Sequence, residues 1–346
     1  MKPSTPPGRS VGTYLLRRLL LAMSIILAVS LASFIGFGLS FDPSYPLVQS
    51  PAKQAFVRTY YHLTDPILSR YWRWVTGLIH HGFGTTVSTS VTGTLPPRLF
   101  SPGAPIGPSV WSAAKITFEL VGSALVLVIV GSVVVGAITA RRRRFHADFA
   151  LRSLAYLGAA VPTFLLGDLL LHALNPHFTE VIVGGKPTPT STGSWLAIGP
   201  PTGGLGNWLQ HMTLPVVALA LSFIGIYSRY VRSSVMVTLN QPYVAVARGK
   251  GLSERQVLVR HVLRNSLIPF TALLSLEIGG LIGASLAADA VFGLGGLASV
   301  FLGAVNTSDP FELTALFVVT AAVVSVFALL GDILVGVLDP RIRAAG

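Results

Sequence analysis

Few residues in this chain have the type and spacing needed for covalent chemistry. The chain has no cysteine, which excludes thiolate nucleophiles, thiolate metal sites and disulfides. His80 and His81 are adjacent, whereas a helical metal site needs histidines four residues apart, so we interpret this pair as structural. The patterns H-E-x-x-H, G-x-S-x-G and G-x-x-x-x-G-K-[ST] are absent, so the chain has no phosphate-binding loop of its own. We therefore predict no catalytic residues, no metal site and no cofactor, and we assign any ATP hydrolysis to a partner.

Four carboxylates, Asp168, Glu277, Asp289 and Asp332, instead interrupt long apolar runs. Charged side chains at membrane depth are costly and usually face a partner or a cavity. Glu277 and Asp168 are therefore candidates for lining a translocation path, and the alternative is an interhelical hydrogen bond in each case. Asp332 is expected to be a packing or capping residue. A membrane-embedded hydrolase could pair Asp168 with Asp332, but neither residue lies in a recognisable catalytic motif.

The composition places these residues in a membrane. Apolar residues make up 51% of the chain and charged residues only 11%, and the mean hydropathy is +0.67, whereas soluble domains carry about 25% charged residues. A bilayer core needs about 20 consecutive apolar helical residues. We predict an all-α fold in which residues 1–346 form a single transmembrane domain. The six predicted spans lie at about 15–41, 117–140, 151–174, 212–230, 265–291 and 312–338.

The distribution of basic residues predicts the orientation of these spans. With the N-terminus in the cytoplasm, the inside segments hold 18 of the 25 Lys and Arg residues, and the outside segments hold the other seven. Basic residues beside spans favour the cytoplasmic side, so both termini are predicted to be cytoplasmic. The same distribution explains the formal charge of +12 without nucleic-acid binding.

Two predicted outside segments are long. The first, 42–114, contains RYWRWVTGLIHHGFG from Arg70, in which tryptophans and arginines favour an amphipathic helix at the membrane surface. A helix packed on the protein's own spans is the alternative. The second, 175–211, contains GGKPTPTSTG from Gly184, a composition typical of an irregular loop.

The predicted cytoplasmic loop at 241–264, between the fourth and fifth spans, has the strongest local signals. A short helix from Tyr243 to Lys250 is predicted to stop at Gly251 in a left-handed conformation. Ser253 and Gln256 have the spacing of a capping box at the start of a second helix. The expected product is a rigid, basic and protruding surface made of a helix, a glycine elbow and a helix. The alternative is a basic loop that only sets the orientation of the protein.

This loop resembles that of the binding-protein-dependent ABC importer permeases, the EAA-type loop, and most closely that of the dipeptide/oligopeptide permeases, B-type subunit. The similarity continues along nearly the whole chain, from YLLRRLLLAMSIILAVSLASF at Tyr14 through AVPTFLLGDLLL at Ala160 to LDPRIR at Leu338. Pro242 stands where an acidic residue is usual in this family. The matching loop residues are Tyr243, Val244, Ala245, Ala247, Arg248, Lys250, Gly251, Leu252 and Ser253, followed by Arg260, His261, Leu263, Arg264, Asn265, Leu267, Ile268 and Pro269.

The resemblance implies a fold, a function and a set of partners. The fold would be that of a type I ABC importer permease in a bacterial inner membrane, and the chain would be a transport subunit without enzymatic activity. Its partners would be a second homologous permease, two ATP-binding subunits, an extracytoplasmic substrate-binding protein and membrane lipid. The cargo would be peptides, whose ammonium or amide groups would meet Glu277 and Asp168, with nickel, haem or glutathione as alternatives. The residues that would couple to the ATPase are Tyr243, Ala245, Ala247, Arg248, Lys250, Gly251, Leu252 and Ser253.

Overall fold

The structure is a computed structural model, and helices dominate the part of the chain that it describes. The described residues are 11–42, 44, 51–86, 105–141, 153, 158, 160–174, 178–183, 186–191 and 196–338. The elements are α1 (Val11–Ser40), α2 (Pro51–Tyr60), α3 (Ile67–His81), α4 (Ile106–Arg141), α5 (Thr163–Leu174), β1 (Phe178–Val183), β2 (Lys186–Ser191), α6 (Leu205–Leu239), α7 (Pro242–Gly249), α8 (Glu254–Gln256), a π-helical segment (Val257–Leu263), α9 (Arg264–Leu276), α10 (Ile278–Phe292), α11 (Leu297–Asn306) and α12 (Pro310–Leu338).

Within the described residues, four helices are long and apolar enough to cross a membrane. A fifth crossing results if α10 and α11, which are separated by Gly293–Gly296, form one span. Seven residues of the predicted third span, 151, 152, 154–157 and 159, lie outside the described residues, and α5 is the helix in its described part. The prediction of six spans with cytoplasmic termini therefore stays a prediction. The four long apolar stretches are Leu16–Ser40, Ile106–Ala140, Leu205–Leu239 and Pro310–Ile333.

The helix predicted over the fifth span is divided into two. Glu277 has φ −91° and ψ 1° and separates α9 from α10. Gly279 and Gly280 follow immediately, and glycine disfavours a helix by about 1 kcal/mol relative to alanine. The break therefore coincides with a locally weak helical sequence, which the apolar pattern alone did not reveal.

The irregular loop predicted at 175–211 is partly wrong. Strands β1 and β2 pair antiparallel, with Phe178 opposite Ser191 and Val183 opposite Lys186. The sequence FTEVIV in β1 is rich in β-branched residues, which favour strands. Pro187 and Pro189 in β2 cannot donate ladder hydrogen bonds, and such residues are typical of an edge strand.

The chain divides into two compact units, of which the first contains the predicted cytoplasmic loop. In this unit α4 and α6 approach closely at a glycine: a Cβ on Gly136 would lie 2.7 Å from Val231 Cβ and 2.8 Å from the Ser228 carbonyl oxygen. Small residues allow such contacts between membrane helices. The indole Nε1 of Trp208 in α6 donates a 2.8 Å hydrogen bond to the Glu119 carboxylate in α4. The unit comprises Met1–Arg18, Phe118–Leu294 and Val324–Gly346.

The second unit comprises Leu19–Thr117 and Gly295–Val323 and contains a helix where the first outside segment was predicted to form one; its position at the membrane surface stays a prediction. Its helix α3 turns Tyr71 and Trp74 towards Phe34 of α1, with ring centroids 5.5 and 5.8 Å from that of Phe34. This face of α3 therefore packs on an apolar helix of the same chain. The tryptophan on the other face, Trp72, is 66% exposed.

Candidate functional site

The predicted cytoplasmic loop starts from a long and well-anchored helix. Helix α6 runs for 35 residues and ends at Leu239, with Asn240 as its C-cap. Gln241 has extended backbone, and Pro242 occupies the first turn of α7. Proline suits this position because its fixed φ matches a helix and its missing N–H would have no intrahelical partner. The sequence therefore ends one helix and starts the next within three residues.

One face of α7 is anchored in the core. Val244 is fully buried and Ala247 nearly so, and their spacing of three residues puts them on the same helix face. They join a buried cluster that also contains Val235 of α6 and Val257 and Val262 of the π-helical segment. Fully burying an aliphatic side chain of this size contributes about 1.5–3 kcal/mol, so α7 is held firmly against the unit.

The elbow after α7 has the predicted geometry. Gly251 has φ +80°, and its N–H donates a 2.9 Å hydrogen bond to the Arg248 carbonyl oxygen. The capping box is also confirmed: the Gln256 N–H donates to Ser253 Oγ at 3.3 Å, and the Ser253 N–H donates to Gln256 Oε1 at 3.0 Å. The direction of the chain between α7 and α8 is thus fixed by backbone conformation and local hydrogen bonds.

The second helix of the loop is wound differently from what the sequence predicted. Its segment Val257–Leu263 is π-helical, a winding that is rare over more than one turn and is frequent at functional sites. Val257 and Val262, five residues apart, are both fully buried, while Arg260 between them is exposed. The apolar periodicity alone carries no clear signal for this winding.

The other face of α7 is exposed and partly apolar. Val246 is 58% exposed and Tyr243 is 40% exposed. The Tyr243 hydroxyl accepts a 3.0 Å hydrogen bond from the Asn265 side-chain amide. Arg248 Nε and Glu254 Oε1 form a 2.8 Å ion pair across the elbow, and a pair this exposed contributes at most about 1 kcal/mol. The result is a protruding helix with a preorganised outer face.

The structure divides the eight predicted coupling residues into two groups. Ala247 and Leu252 point towards the core and act as anchors. Val246 belongs to the outer face but was missed by the sequence prediction. The spacing of the buried Val244 and Ala247 was the signal that could have identified it, since it places Val246 on the opposite side. The exposed members of the predicted set are Tyr243, Ala245, Arg248, Lys250, Gly251 and Ser253.

The two predicted path residues have different surroundings within the first unit. Glu277 is exposed at the break between α9 and α10. Its Oε2 lies 3.3 Å from the position that a Cβ on Gly280 would occupy, while Gly279 and Gly283 face open space. Asp168 is exposed on α5, with one carboxylate oxygen 3.4 Å from His172 Nδ1.

Asp332 lies in α12 and makes the only ion pair between α1 and α12 among the described residues. Its carboxylate is 3.0 Å from the Arg18 guanidinium. This contact is consistent with the expectation that Asp332 is a packing or capping residue, which stays a prediction.

Known proteins are similar to this chain over most of its length. Residues 132–344 match the protein family described as binding-protein-dependent transport system inner membrane component. The chain is 32% identical to the oligopeptide transport system permease protein OppB of Mycobacterium tuberculosis, over 96% of this chain and 99% of that protein. It is 28% identical to the dipeptide transport system permease protein DppB of Bacillus subtilis, over 95% and 97% of the two chains. A solved structure described as an inward-facing MetNI methionine ABC transporter covers 67% of this chain and 96% of its own, with a TM-score of 0.48 and 15% identity.

Proposed function

We propose a peptide-import function for this chain, which belongs to the family of binding-protein-dependent transport system inner membrane components. It is a multi-pass protein of the bacterial cell membrane, and its family members are transport subunits. The proposed role is that of the permease subunit of an ATP-driven ABC importer for peptides. The cargo assignment is supported by the relatives OppB and DppB, whose names specify oligopeptide and dipeptide transport.

The observation that carries this proposal is the two-faced helix α7. Its inner face is buried through Val244 and Ala247, whereas its outer face presents Tyr243 and the 58% exposed Val246. An apolar side chain exposed at the centre of a rigid, otherwise polar protrusion favours burial against another protein. In the proposed assembly this face docks on an ATP-binding subunit, and a second homologous permease docks its own loop on the other ATP-binding subunit.

The proposed arrangement in the membrane has six spans and cytoplasmic termini. It puts the coupling loop on the ATPase side and the segment 42–114 on the side of a substrate-binding protein. Arg18 and Asp332 would both lie near the cytoplasmic boundary, and their 3.0 Å ion pair is consistent with that arrangement. ATP-driven movement of the docked loop would then reorient the spans around a central path.

Glu277 and Asp168 are proposed to line this path. Both carboxylates are exposed on the isolated chain, and an unpartnered carboxylate facing lipid is disfavoured by about 2.5–3.5 kcal/mol. Glu277→Gln should therefore preserve assembly while changing uptake or cargo preference. Loss of assembly without a transport-specific defect would make Glu277 a structural residue instead. A hydrolase pairing Asp168 with Asp332 has less support, because Asp332 is already engaged by Arg18.

The coupling role is tested with the assembled transporter in proteoliposomes. Val246→Asp introduces a charge into the outer face of α7 and should reduce both ATPase-subunit binding and ATP-driven peptide uptake at least tenfold. Thr202→Asp is the control, because it adds the same charge at an exposed residue before the other end of α6. Normal uptake by the Val246 variant, at normal membrane insertion, would refute the docking assignment.

A further inference from the structure

A cleft in the second unit combines basic and aromatic side chains. Its volume is about 240 Å³, which is below the size of typical pockets for drug-sized ligands. Its described lining contains two arginines and a histidine but no carboxylate. The residues that form it are Tyr61, His62, Arg70, Arg73, Trp74, Phe83, Gly84, Thr85 and Phe311.

The two arginines of the cleft differ in their charge partners. Arg73 is paired with the Asp65 carboxylate, which also lies 3.8 Å from His62 Nδ1. Arg70 has no ion-pair partner among the described residues, and its guanidinium carbon lies 6.0 Å from the Phe34 ring centroid. Burial, followed by the nearby charge of Arg73, lowers the pKa of Arg70 below its ordinary value. The cleft therefore contains one cation, Arg70, that forms no direct ion pair among the described residues, and the charges of Asp42 and Asp65 only partly offset the effect of burial and of Arg73 on its pKa.

Two hydrogen-bond donors in the cleft are also unsatisfied. Arg70 Nε and Trp74 Nε1 are buried and have no hydrogen-bond partner among the described residues. They lie four residues apart on α3, hence on the same helix face. A buried donor without an acceptor is costly, and both atoms are closed to solvent, so a ligand would bring an acceptor oxygen to them only with a small shift of the two side chains. A carboxylate offers two, and a bond to an ionised acceptor is stronger than one to a neutral oxygen.

Aromatic rings form the remaining walls and favour a ligand with an apolar part. Tyr61 stacks on Phe311 with centroids 5.5 Å apart, and Trp74 lies against Phe83 at 6.4 Å. Gly84 has φ +84°, and a Cβ there would meet no atom within 4 Å, so the rim beside Phe83 stays open. A bare inorganic anion would satisfy the donors but would leave these rings exposed to water.

We propose that this cleft binds a carboxylate attached to an apolar side chain, as found at the C-terminal residue of a short peptide. The carboxylate faces Arg70 and Trp74, and the apolar group lies against the aromatic rings. The assignment to peptides rests on the proposed function, in which α3 lies on the outside. The cleft would then hold the end of a peptide before or during its transfer into the path.

Binding is measured on the assembled transporter in lipid nanodiscs, without the binding protein, which would itself capture peptides. N-acetyl-phenylalanine is the probe, because it has a free carboxylate and an aromatic side chain but no ammonium group. Its amide, N-acetyl-phenylalanine amide, differs only at the carboxylate, and inorganic phosphate provides the bare anion. Calorimetric titration should show saturable binding of the acid, at least tenfold weaker binding of the amide, and no competition by phosphate at equal concentration.

Substitutions at Arg70 and Trp74 test whether the acid binds in this cleft. Arg70→Gln should weaken binding of the acid at least tenfold, and Trp74→Phe, which keeps a ring but removes the indole N–H, should weaken it several-fold. Arg255→Gln is the control, because Arg255 is exposed in α8, outside the cleft, and its loss should leave binding unchanged. Equal binding of acid and amide, competition by phosphate, or unchanged binding by the Arg70 and Trp74 variants would overturn the proposal. If the acid binds as expected but no peptide is transported, the proposed function fails and the carboxylate site stands.

Discussion

The glycine elbow offers a matched pair of substitutions two residues apart. Gly249 and Gly251 are both exposed, and a Cβ on either would meet no other atom within 4 Å. They differ in backbone conformation, because Gly249 ends α7 while Gly251 has φ +80°. A side chain in the left-handed region costs roughly 1–2 kcal/mol, whereas glycine to alanine within a helix gains up to about 1 kcal/mol. Gly251→Ala and Gly249→Ala should therefore change loop stability in opposite directions.

This strain should appear as weaker docking. If the ATP-binding subunit recognises only the native elbow, 1–2 kcal/mol of strain weakens its binding by about 5- to 30-fold. The affinity of the ATP-binding subunits for the permease in nanodiscs measures this directly, and ATP-driven uptake measures its consequence. Gly251→Val, with a β-branched side chain at the same φ, should insert normally and lose most uptake.

The control for Gly251→Ala is the neighbouring variant Gly249→Ala. Gly249→Ala should keep native affinity or improve it slightly. If Gly251→Ala and Gly249→Ala bind the ATP-binding subunits equally well, the left-handed elbow is not needed for docking. If both lose binding equally, the outer face of α7 tolerates no added methyl group, and the conformational reasoning is also refuted.

Three further predictions concern local contacts. Ser253→Ala removes the capping box and should destabilise the start of α8 by about 1 kcal/mol, seen as about fivefold faster hydrogen exchange there, while Ser253→Asp should retain the native rate. The Arg18–Asp332 pair should show a coupling of about 0.5–1 kcal/mol in a double-mutant cycle of alanine variants read by thermal unfolding, and additive effects would show that the pair contributes nothing. Partial burial opposes the charge of Asp42, but hydrogen bonds from Ser44 and Arg58 outweigh it and hold the pKa of Asp42 below its ordinary 3.8. The stability that the ionised Asp42 contributes should therefore be complete above about pH 4 and fall as the pH drops further. Asp42→Asn should abolish this pH dependence, measured by hydrogen exchange at 42–58.

The coupling loop could be predicted well because its determinants are local. A glycine that stops a helix, followed by a serine and a glutamine at capping-box spacing, specifies conformation within a few residues. The structure confirms this at Gly251 and Ser253. The helix around Trp74 was also predictable, from closely spaced tryptophans and arginines, whereas its packing on α1 was only one of two alternatives.

Features that depend on tertiary packing were not predictable. The break at Glu277 lies inside an otherwise continuous apolar stretch, and the π-helical winding at Val257–Leu263 accompanies two buried valines that lie five residues apart. The cleft beside Arg70 combines α3 with Phe311, which is more than 200 residues away in the printed sequence. Only the fold brings these groups together, so neither composition nor spacing indicated a site there.

The packing of α7 also indicates how a movement at the loop would reach the spans. Val244 and Ala247 lie in the same buried cluster as Val231 of α6 and Phe270 of α9. Protein interiors are close-packed and deform little, so α7 cannot shift without moving the helices that share its core. Tyr227, whose ring lies 5.9 Å from that of Phe270, extends this contact further along α6. In the proposed transporter the docked helix would therefore move as one body with α6 and the start of α9, and the break at Glu277 is the first point along the chain where that body could bend.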